Sequence, residues 1–195
     1  MTPTFSITPP DELSTDLLVV PTGPADDVPA CTLLFLAIIT AAKKRLWICS
    51  PYFVPDETVY DALQLAAIRG VDVRIMLPAK PDHLLVYLSS FSYLRSAEQV
   101  GVKFYRYQTG FLHQKVLLVD DDLAAVGTAN IDNRSMRLNF EITLLFADAA
   151  FAREVSTMLE QDFANCERAT PGDLGRRHLP FQVAVRLARL FSPIQ

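Results

Sequence analysis

The sequence predicts an α/β protein with a single domain, in which a mixed β-sheet carries helices on both faces. The chain has 195 residues, of which half are hydrophobic and 21% are charged, a composition that suits one folded core without disulfide support. Apolar runs typical of strands alternate with helical patterns up to about residue 108, and strand patterns then cluster. This order favours a sheet with both parallel and antiparallel pairs.

The first part of the chain predicts these elements in order. Residues 1–30, rich in proline and acidic side chains, form a loose leading segment with one short strand at 17–20. Asp56 opens a helix and Gly70 ends it. The predicted elements are a buried helix at 31–42, a strand at 45–53, a helix at 57–69, a strand at 71–78, a helix at 82–99 and a strand at 102–108.

The second part of the chain carries more strands and an unusual tail. Strands are predicted at 113–120, 123–129 and 140–148, and a helix at 149–165, so that residues 31–175 form the body of the domain. The tail, residues 176–195, has four arginines and no carboxylate. On a helix, Gln182, Arg186 and Arg189 form a narrow polar stripe. Such a tail either packs on the domain or a partner, or lies in a membrane interface.

Composition excludes several functional classes. A net charge of −4 and a pI near 5.3 argue against nucleic acid as a partner, because proteins that bind nucleic acid are usually basic. Cys31, Cys49 and Cys166 lie far apart, as expected of reduced thiols in a cytosolic protein, and they show no zinc spacing. The start of the chain lacks the pattern of a signal peptide. The longest apolar run has 13 residues, and a membrane span needs roughly 20.

Four polar residues are expected to meet at one end of a hairpin. Because side chains alternate along a strand, His113 and Lys115 point to the same side. Thr128 and Asn130 likewise share a side at the end of the following strand. If the two strands pair through the acidic turn between them, His113 and Asn130 lie near the same end of the ladder.

This group suits the chemistry of a phosphate diester. Lysine supplies positive charge, asparagine and threonine supply hydrogen-bond donors, and histidine serves as nucleophile or proton donor. Glu141, at the start of the next strand, could hold the second ring nitrogen of a histidine and so fix its tautomer. The alternative interpretation is a strand edge whose polar residues simply face water.

The spacing of these residues resembles the signature of the phospholipase D superfamily. The signature reads H-x-K-x₄-D-x₆-G-T-x-N and is carried here by His113, Lys115, Asp120, Gly127, Thr128 and Asn130. Serine is commoner than threonine at the position of Thr128. The segments "SPYFVPDE", "AAIRGVDVRIMLP", "NIDNRSMRLNFEI" and "LARLFSPIQ" resemble the C-terminal half of a bacterial cardiolipin synthase. The resemblance implies a phospholipase D-like sheet flanked by helices.

The resemblance also implies a reaction. A histidine attacks one phosphatidylglycerol to form a phosphohistidine. A second histidine protonates the leaving glycerol and activates a second phosphatidylglycerol, without metal or other cofactor. On this basis His113 is nucleophile or acid/base, Lys115 and Asn130 hold the phosphate with support from Thr128, and Glu141 orients a histidine. Asp120 either leaves the strand on the opposite side from His113 or lies in the turn, so Asp120, like Gly127, is expected to be structural.

The sequence departs from the family in one respect. Family synthases carry two signatures after membrane segments, whereas this sequence contains one, because neither His83 nor His178 has a lysine two residues later. Both are expected to be surface or helix residues. Three interpretations remain open: a phosphatidyltransferase half, peripheral on the cytoplasmic face of the cell membrane, that works as a homodimer or beside another phospholipase D-like half; a single-signature phosphodiesterase or nuclease; or an inactive truncated synthase.

Overall fold

The structure is a computed structural model that describes residues 15–80, 82–169 and 179–190, and this part of the chain forms ten strands and six helices. The strands are β1 (Asp16–Thr22), β2 (Arg45–Cys49), β3 (Phe53–Val54), β4 (Asp72–Pro78), β5 (Lys103–Tyr107), β6 (Val116–Val119), β7 (Leu123–Gly127), β8 (Ile131–Asp132), β9 (Glu141–Ala147) and β10 (Cys166–Arg168). The helices are α1 (Ala30–Ala41), α2 (Glu57–Ile68), α3 (Leu84–Gln99), α4 (Asn133–Arg137), α5 (Ala149–Ala164) and α6 (Leu179–Arg189).

Eight of these strands form one mixed sheet in the order β1-β9-β7-β6-β2-β4-β5-β10, and β3 pairs with β8 in a small second sheet. The pairs β2·β4 and β4·β5 are parallel, whereas β6 pairs antiparallel with both β2 and β7. The antiparallel part continues through β9 to the edge strand β1. The predicted mixed sheet is therefore confirmed.

Helices cover both faces of the sheet, as predicted. Residues of α1, α2, α3 and α6 join one apolar cluster with the sheet, in which Phe35, Phe53 and Phe104 are almost fully buried. Among the described helices, α5 is the one that packs on the opposite face, where the ring centres of Trp47 and Phe163 lie 5.5 Å apart. The guanidinium groups of Arg45 and Arg74 also lie over the Trp47 ring, 4.8 Å and 4.6 Å from its centre.

Several boundaries differ from the predictions. The strand expected at 45–53 is broken at residues 50–52, where the buried hydroxyl of Ser50 donates to the carbonyl of Tyr52 at 2.8 Å. The short strand expected at 17–20 is longer, because β1 pairs with β9 along its whole length. The elements β8, α4 and β10 were not predicted, since two to five residues are too few to show a period.

Helix α6, within the predicted tail, packs against α3. Its inner face carries Val185 and Ala188, both buried, and the ring of Phe181 contacts that of Phe91 at 5.3 Å. Its outer face leaves apolar side chains in solvent, with exposed fractions of 47%, 56% and 74% for Val183, Leu187 and Leu190. The predictions for residues 1–14, 176–178 and 191–195, including His178, lie outside the described residues.

None of the helices in the described ranges is both long and apolar enough to cross a membrane.

Candidate active site

The predicted site residues are collected at one edge of the main sheet. Strand β6 begins beside the end of β2, because Val116 pairs with Cys49 in antiparallel register. Strand β7 ends beside the same point, where Gly127 N–H donates to the carbonyl of Lys115 at 3.1 Å. Strand β9 begins at the same point, with Glu141, because Thr143 pairs with Gly127 at the end of β7. The loops before β6, after β7 and before β9 therefore converge.

His113 and Lys115 lie together, as predicted, although not on a strand. The strand expected at 113–120 begins only at Val116, because β7 ends at Gly127 and offers no further partner. Lys115 Nζ lies 3.0 Å from His113 Nδ1 and 2.8 Å from the His113 carbonyl oxygen. The exposed ring of Phe111 stacks on His113 with centroids 5.4 Å apart and planes 14° from parallel. The imidazole is thus held between an ammonium group and an aromatic ring.

The electrostatics of Lys115 reflect its half-buried position. Partial burial lowers the pKa of this ammonium group, and the nearby carboxylates of Glu141, Asp132 and Asp82 offset that effect only in part. Its two hydrogen-bond contacts within the described chain are both with His113. A cation that is desolvated and not neutralised by direct pairing is suited to bind an anionic substrate.

Thr128 and Glu141 form a hydrogen-bonded pair beside the lysine. The Thr128 hydroxyl donates to Glu141 Oε2 and accepts from Ile142 N–H at 3.0 Å, and Asn139 Nδ2 donates to Glu141 Oε1 at 3.1 Å. Because the hydroxyl has one proton and gives it to Glu141, Thr128 places the carboxylate instead of offering a donor outward. In the described part of the chain, Glu141 is hydrogen-bonded to these groups and not to the ring of His113.

Asn130 lies in the loop after β7, one residue beyond the predicted strand end. Its N–H donates to Ser135 Oγ at 3.0 Å, and the next N–H, that of Ile131, donates to Ser50 Oγ at 3.2 Å. Among the described residues, no donor contacts the buried Asn130 Oδ1. A buried polar atom without a partner is costly, and such atoms are found where a ligand or a change of rotamer satisfies them.

Gly127 and Asp120 have different surroundings from the site. A Cβ on Gly127 would lie 2.5 Å from the carbonyl oxygen of Ile142, so the close approach of β9 leaves no room for a side chain. Asp120 lies at the opposite end of β6, where its carboxylate accepts from the N–H groups of residues 43–45 at 2.7–3.3 Å. Partial burial raises the pKa of Asp120, but these hydrogen bonds outweigh it and leave the pKa lowered.

Three groups at this edge were not singled out from the sequence. The buried Asp132 caps α4 by accepting from Ser135 N–H at 2.7 Å, and burial raises its pKa. Tyr52 donates to Asp82 at 2.7 Å, and His83 lies beside Tyr52 at the start of α3. The Asp-x-x-Ser spacing is a helix-capping pattern that could have indicated Asp132. Nothing in the spacing of Tyr52 and Asp82 indicates that they touch.

Within residues 15–80, 82–169 and 179–190, no group of three or more His, Cys, Asp or Glu side chains is arranged to hold a metal ion. The arrangement that the structure does provide is an imidazole, an ammonium, a carboxamide and a carboxylate around one open edge. These are groups that can bind a phosphate and transfer a proton to or from it.

Comparisons with known proteins agree with this arrangement. Residues 35–163 match the family described as "Cardiolipin synthase, PLD-like domain". The chain is 55% identical over 172 residues to cardiolipin synthase A of Pseudomonas putida W619, covering 88% of this chain and 36% of that protein. It is 55% identical over 176 residues to cardiolipin synthase A of Pseudomonas aeruginosa PAO1, covering 90% and 36%. The chain thus spans about a third of the length of these relatives.

Two solved structures share the fold. The phospholipase D family member Nuc from Salmonella typhimurium superposes with a TM-score of 0.67 at 18% identity, over 80% of this chain and 99% of that one. Phosphatidylserine synthase of Haemophilus influenzae Rd KW20 superposes with a TM-score of 0.73 at 20% identity, over 94% of this chain and 49% of that one. At these identities the likeness concerns the fold alone.

Proposed function

The chain belongs to the cardiolipin synthase, PLD-like domain family, and from this premise we propose that it provides half of a phosphatidyltransferase site. In this proposal a phosphatidyl group passes from one phosphatidylglycerol to another through a phosphohistidine, without a cofactor. The observation that carries it is the contact of the Lys115 ammonium with the His113 ring, beside Asn130 and Glu141, at an open sheet edge.

The contact with Lys115 favours one role for His113. An ammonium group can only donate, so Nδ1 of His113 accepts, and the neutral ring then carries its proton on Nε2. An imidazole in this tautomer can give its Nε2 proton to a leaving glycerol oxygen if Nδ1 takes a proton from the Lys115 ammonium in the same step, so that the ring stays neutral. A nucleophilic histidine would need its lone pair on Nε2 and a proton on Nδ1. In a homodimer the two copies of His113 would divide the roles: the copy that keeps its contact with Lys115 transfers the proton, and the copy that gives up this contact attacks the phosphorus.

The remaining groups follow from their positions. Lys115 and Asn130 hold the phosphate. Thr128 acts on the phosphate only indirectly, by holding Glu141. Since Glu141 is not bonded to His113 in the described chain, the histidine that it orients is the second one. Asp120 and Gly127 support the sheet and not the chemistry.

The second histidine comes from a homodimer or from another phospholipase D-like half, because the sequence carries one signature. The outer face of α6 would hold the protein peripherally on the cytoplasmic face of the membrane. Its exposed Val183, Leu187 and Leu190 supply apolar area. Exposed arginines such as Arg186 add attraction of roughly 1 kcal/mol each when they reach anionic lipid.

Mixed dimers test the proposal. Wild-type protein and His113→Ala protein are combined at varied ratios, allowed to exchange subunits in detergent, and assayed for cardiolipin formation from phosphatidylglycerol. If each site needs two histidines from two chains, activity follows the square of the wild-type fraction. Activity proportional to that fraction would mean that each chain works alone, which contradicts the pairing.

A second assay on the same samples separates the other interpretations. A radiolabelled phosphate that stays on the wild-type protein after acid-free denaturation, and is absent from His113→Ala protein, supports the covalent intermediate. Cleavage of DNA without any lipid transfer would instead favour the phosphodiesterase. A strictly monomeric wild-type chain that is inactive towards both substrates would refute the homodimer.

A further inference from the structure

Tyr52 and Asp82 form a side-chain pair at the same sheet edge, outside the signature. The Tyr52 hydroxyl donates to Asp82 Oδ2 at 2.7 Å, and His83 N–H donates to Asp82 Oδ1 at 2.8 Å. The ring of His83 lies 5.9 Å from that of Tyr52 in an edge-to-face contact. The pair therefore has a defined geometry, although thirty positions separate its members in the sequence.

This pair lies next to the candidate catalytic groups. The residues that directly follow Tyr52 and Asn130 pair with each other, since Phe53 lies opposite Ile131 in the small second sheet. The buried Ser50 hydroxyl donates to the Tyr52 carbonyl and accepts from the N–H of Ile131, which directly follows Asn130. The loop that carries Tyr52 is thus tied to the loop that carries Asn130.

The chemistry of the pair selects the kind of group that it can bind. Asp82 is exposed, and although partial burial raises its pKa, the bond from Tyr52 and the backbone N–H groups outweigh burial and leave the pKa lowered. At neutral pH the carboxylate can only accept hydrogen bonds, and the Tyr52 oxygen, having donated its proton, also accepts. A ligand for this pair must therefore be a donor.

Charge narrows the choice of donor further. A phosphate would be repelled by Asp82. A cationic head group would be attracted to Asp82 but would meet the positive charge of Arg106, which lines the same cleft as Tyr52 and Asp82. A neutral group with two neighbouring hydroxyls avoids both conflicts, because a carboxylate can accept from two hydroxyls at once.

We propose that Tyr52 and Asp82 form a subsite that binds the glycerol diol of an alcohol acceptor and thereby decides which alcohols the site accepts. This inference rests on the proposed function in one respect, namely that the diol belongs to a phosphatidylglycerol head group. The carboxylate orders the two hydroxyls, and Tyr52 holds the carboxylate in place.

Binding is measured on the full chain by saturation-transfer NMR with glycerol 1-phosphate, and O-phosphoethanolamine serves as the competing probe with a cationic head. We expect saturation of the glycerol protons in the wild type. Asp82→Ala should weaken binding by about tenfold, the usual scale for loss of a charge-assisted hydrogen bond. Tyr52→Phe should weaken it less.

The matched control is Asp121→Ala, which removes a carboxylate of the same kind that pairs with Lys44 in the turn after β6. This variant should bind like the wild type. Equal affinity of wild type and Asp82→Ala for glycerol 1-phosphate would overturn the inference, as would preference for O-phosphoethanolamine. A melting temperature recorded for each variant shows that it is folded when it is tested.

Failure of the subsite and failure of the proposed function are separable. His113→Ala should keep the diol affinity while losing transfer. A wild type that binds glycerol 1-phosphate through Asp82 but transfers no phosphatidyl group would contradict the proposed function alone. A wild type that forms cardiolipin, and whose Asp82→Ala variant keeps the same preference for glycerol over ethanol as acceptor, would contradict the subsite alone.

Discussion

Replacing Asp120 by asparagine tests whether this signature residue stabilises the fold instead of taking part in the reaction. Its backbone φ is +49°, a left-handed conformation that asparagine tolerates as well as aspartate, so the substitution adds no backbone strain. Oδ1 accepts from Lys44 and Arg45 at 2.7 Å and 3.0 Å, and Oδ2 accepts from Lys43 at 3.0 Å. In asparagine an amide nitrogen replaces Oδ2, and this nitrogen, itself a donor, would face the N–H of Lys43.

The expected loss is about 2 kcal/mol of unfolding free energy. The side chain would lose its hydrogen bond from Lys43 N–H, and without the negative charge its hydrogen bonds from Lys44 and Arg45 would be weaker. For a chain of this size the loss corresponds to a fall in Tm of roughly 4–8 °C. Since the folded pKa of Asp120 is lowered, its stabilisation is present above the ordinary aspartate pKa, near 4, and is lost as the pH falls through the folded pKa. The two proteins should therefore converge in strong acid.

Calorimetry at neutral and acidic pH measures this difference, and phosphatidyl transfer below both melting temperatures measures turnover. Asp121→Asn is the control, since its carboxylate is 63% exposed and makes only surface ion pairs. Transfer by Asp120→Asn should match the wild type. An unchanged Tm together with lost turnover would refute the structural role.

Four other outcomes are expected. Lys115→Ala should lower turnover by about 10²–10³ with little change in Tm, because it removes charge at the reacting phosphate; equal turnover would contradict this. Gly127→Ala should destabilise by roughly 1–3 kcal/mol in urea unfolding, since its methyl group meets the Ile142 carbonyl; wild-type stability would argue against it. Val183→Ser with Leu187→Ser, on the outer face of α6, should reduce pelleting with phosphatidylglycerol vesicles without unfolding the chain; undiminished pelleting would exclude this face. Transfer should persist in excess EDTA, and loss that a divalent ion restores would show a metal requirement.

The sequence predicted the fold class and the family, and the reasons are local. Strand alternation placed His113 and Lys115 on one side, and the structure brings their side chains into contact; Asp120 lies away from them, at the opposite end of β6. The family expected from the signature is confirmed by the match to residues 35–163.

What could not be predicted depends on contacts between distant segments. The contact of Tyr52 with Asp82 requires the ends of β2 and β4 to be adjacent, and no periodicity indicates a side-chain hydrogen bond across thirty residues. The partner of Glu141 was also open, because a carboxylate beside a strand end can reach a hydroxyl or an imidazole with equal ease. The position of α6 against α3 likewise depends on tertiary packing, because the sequence of α6 is apolar on more than one face.

The position of Trp47 has a practical consequence for spectroscopy. It is the only tryptophan in the sequence, it is 5% exposed, and it lies under two guanidinium groups on the face covered by α5. Its indole N–H also contacts Asp72 Oδ2 at 3.3 Å, towards the end of β2 that is remote from His113. Its fluorescence emission should therefore change when α5 separates from the sheet. Ligands that bind at the opposite edge should not change it, so the emission can be used to check that the protein stays folded during a ligand titration.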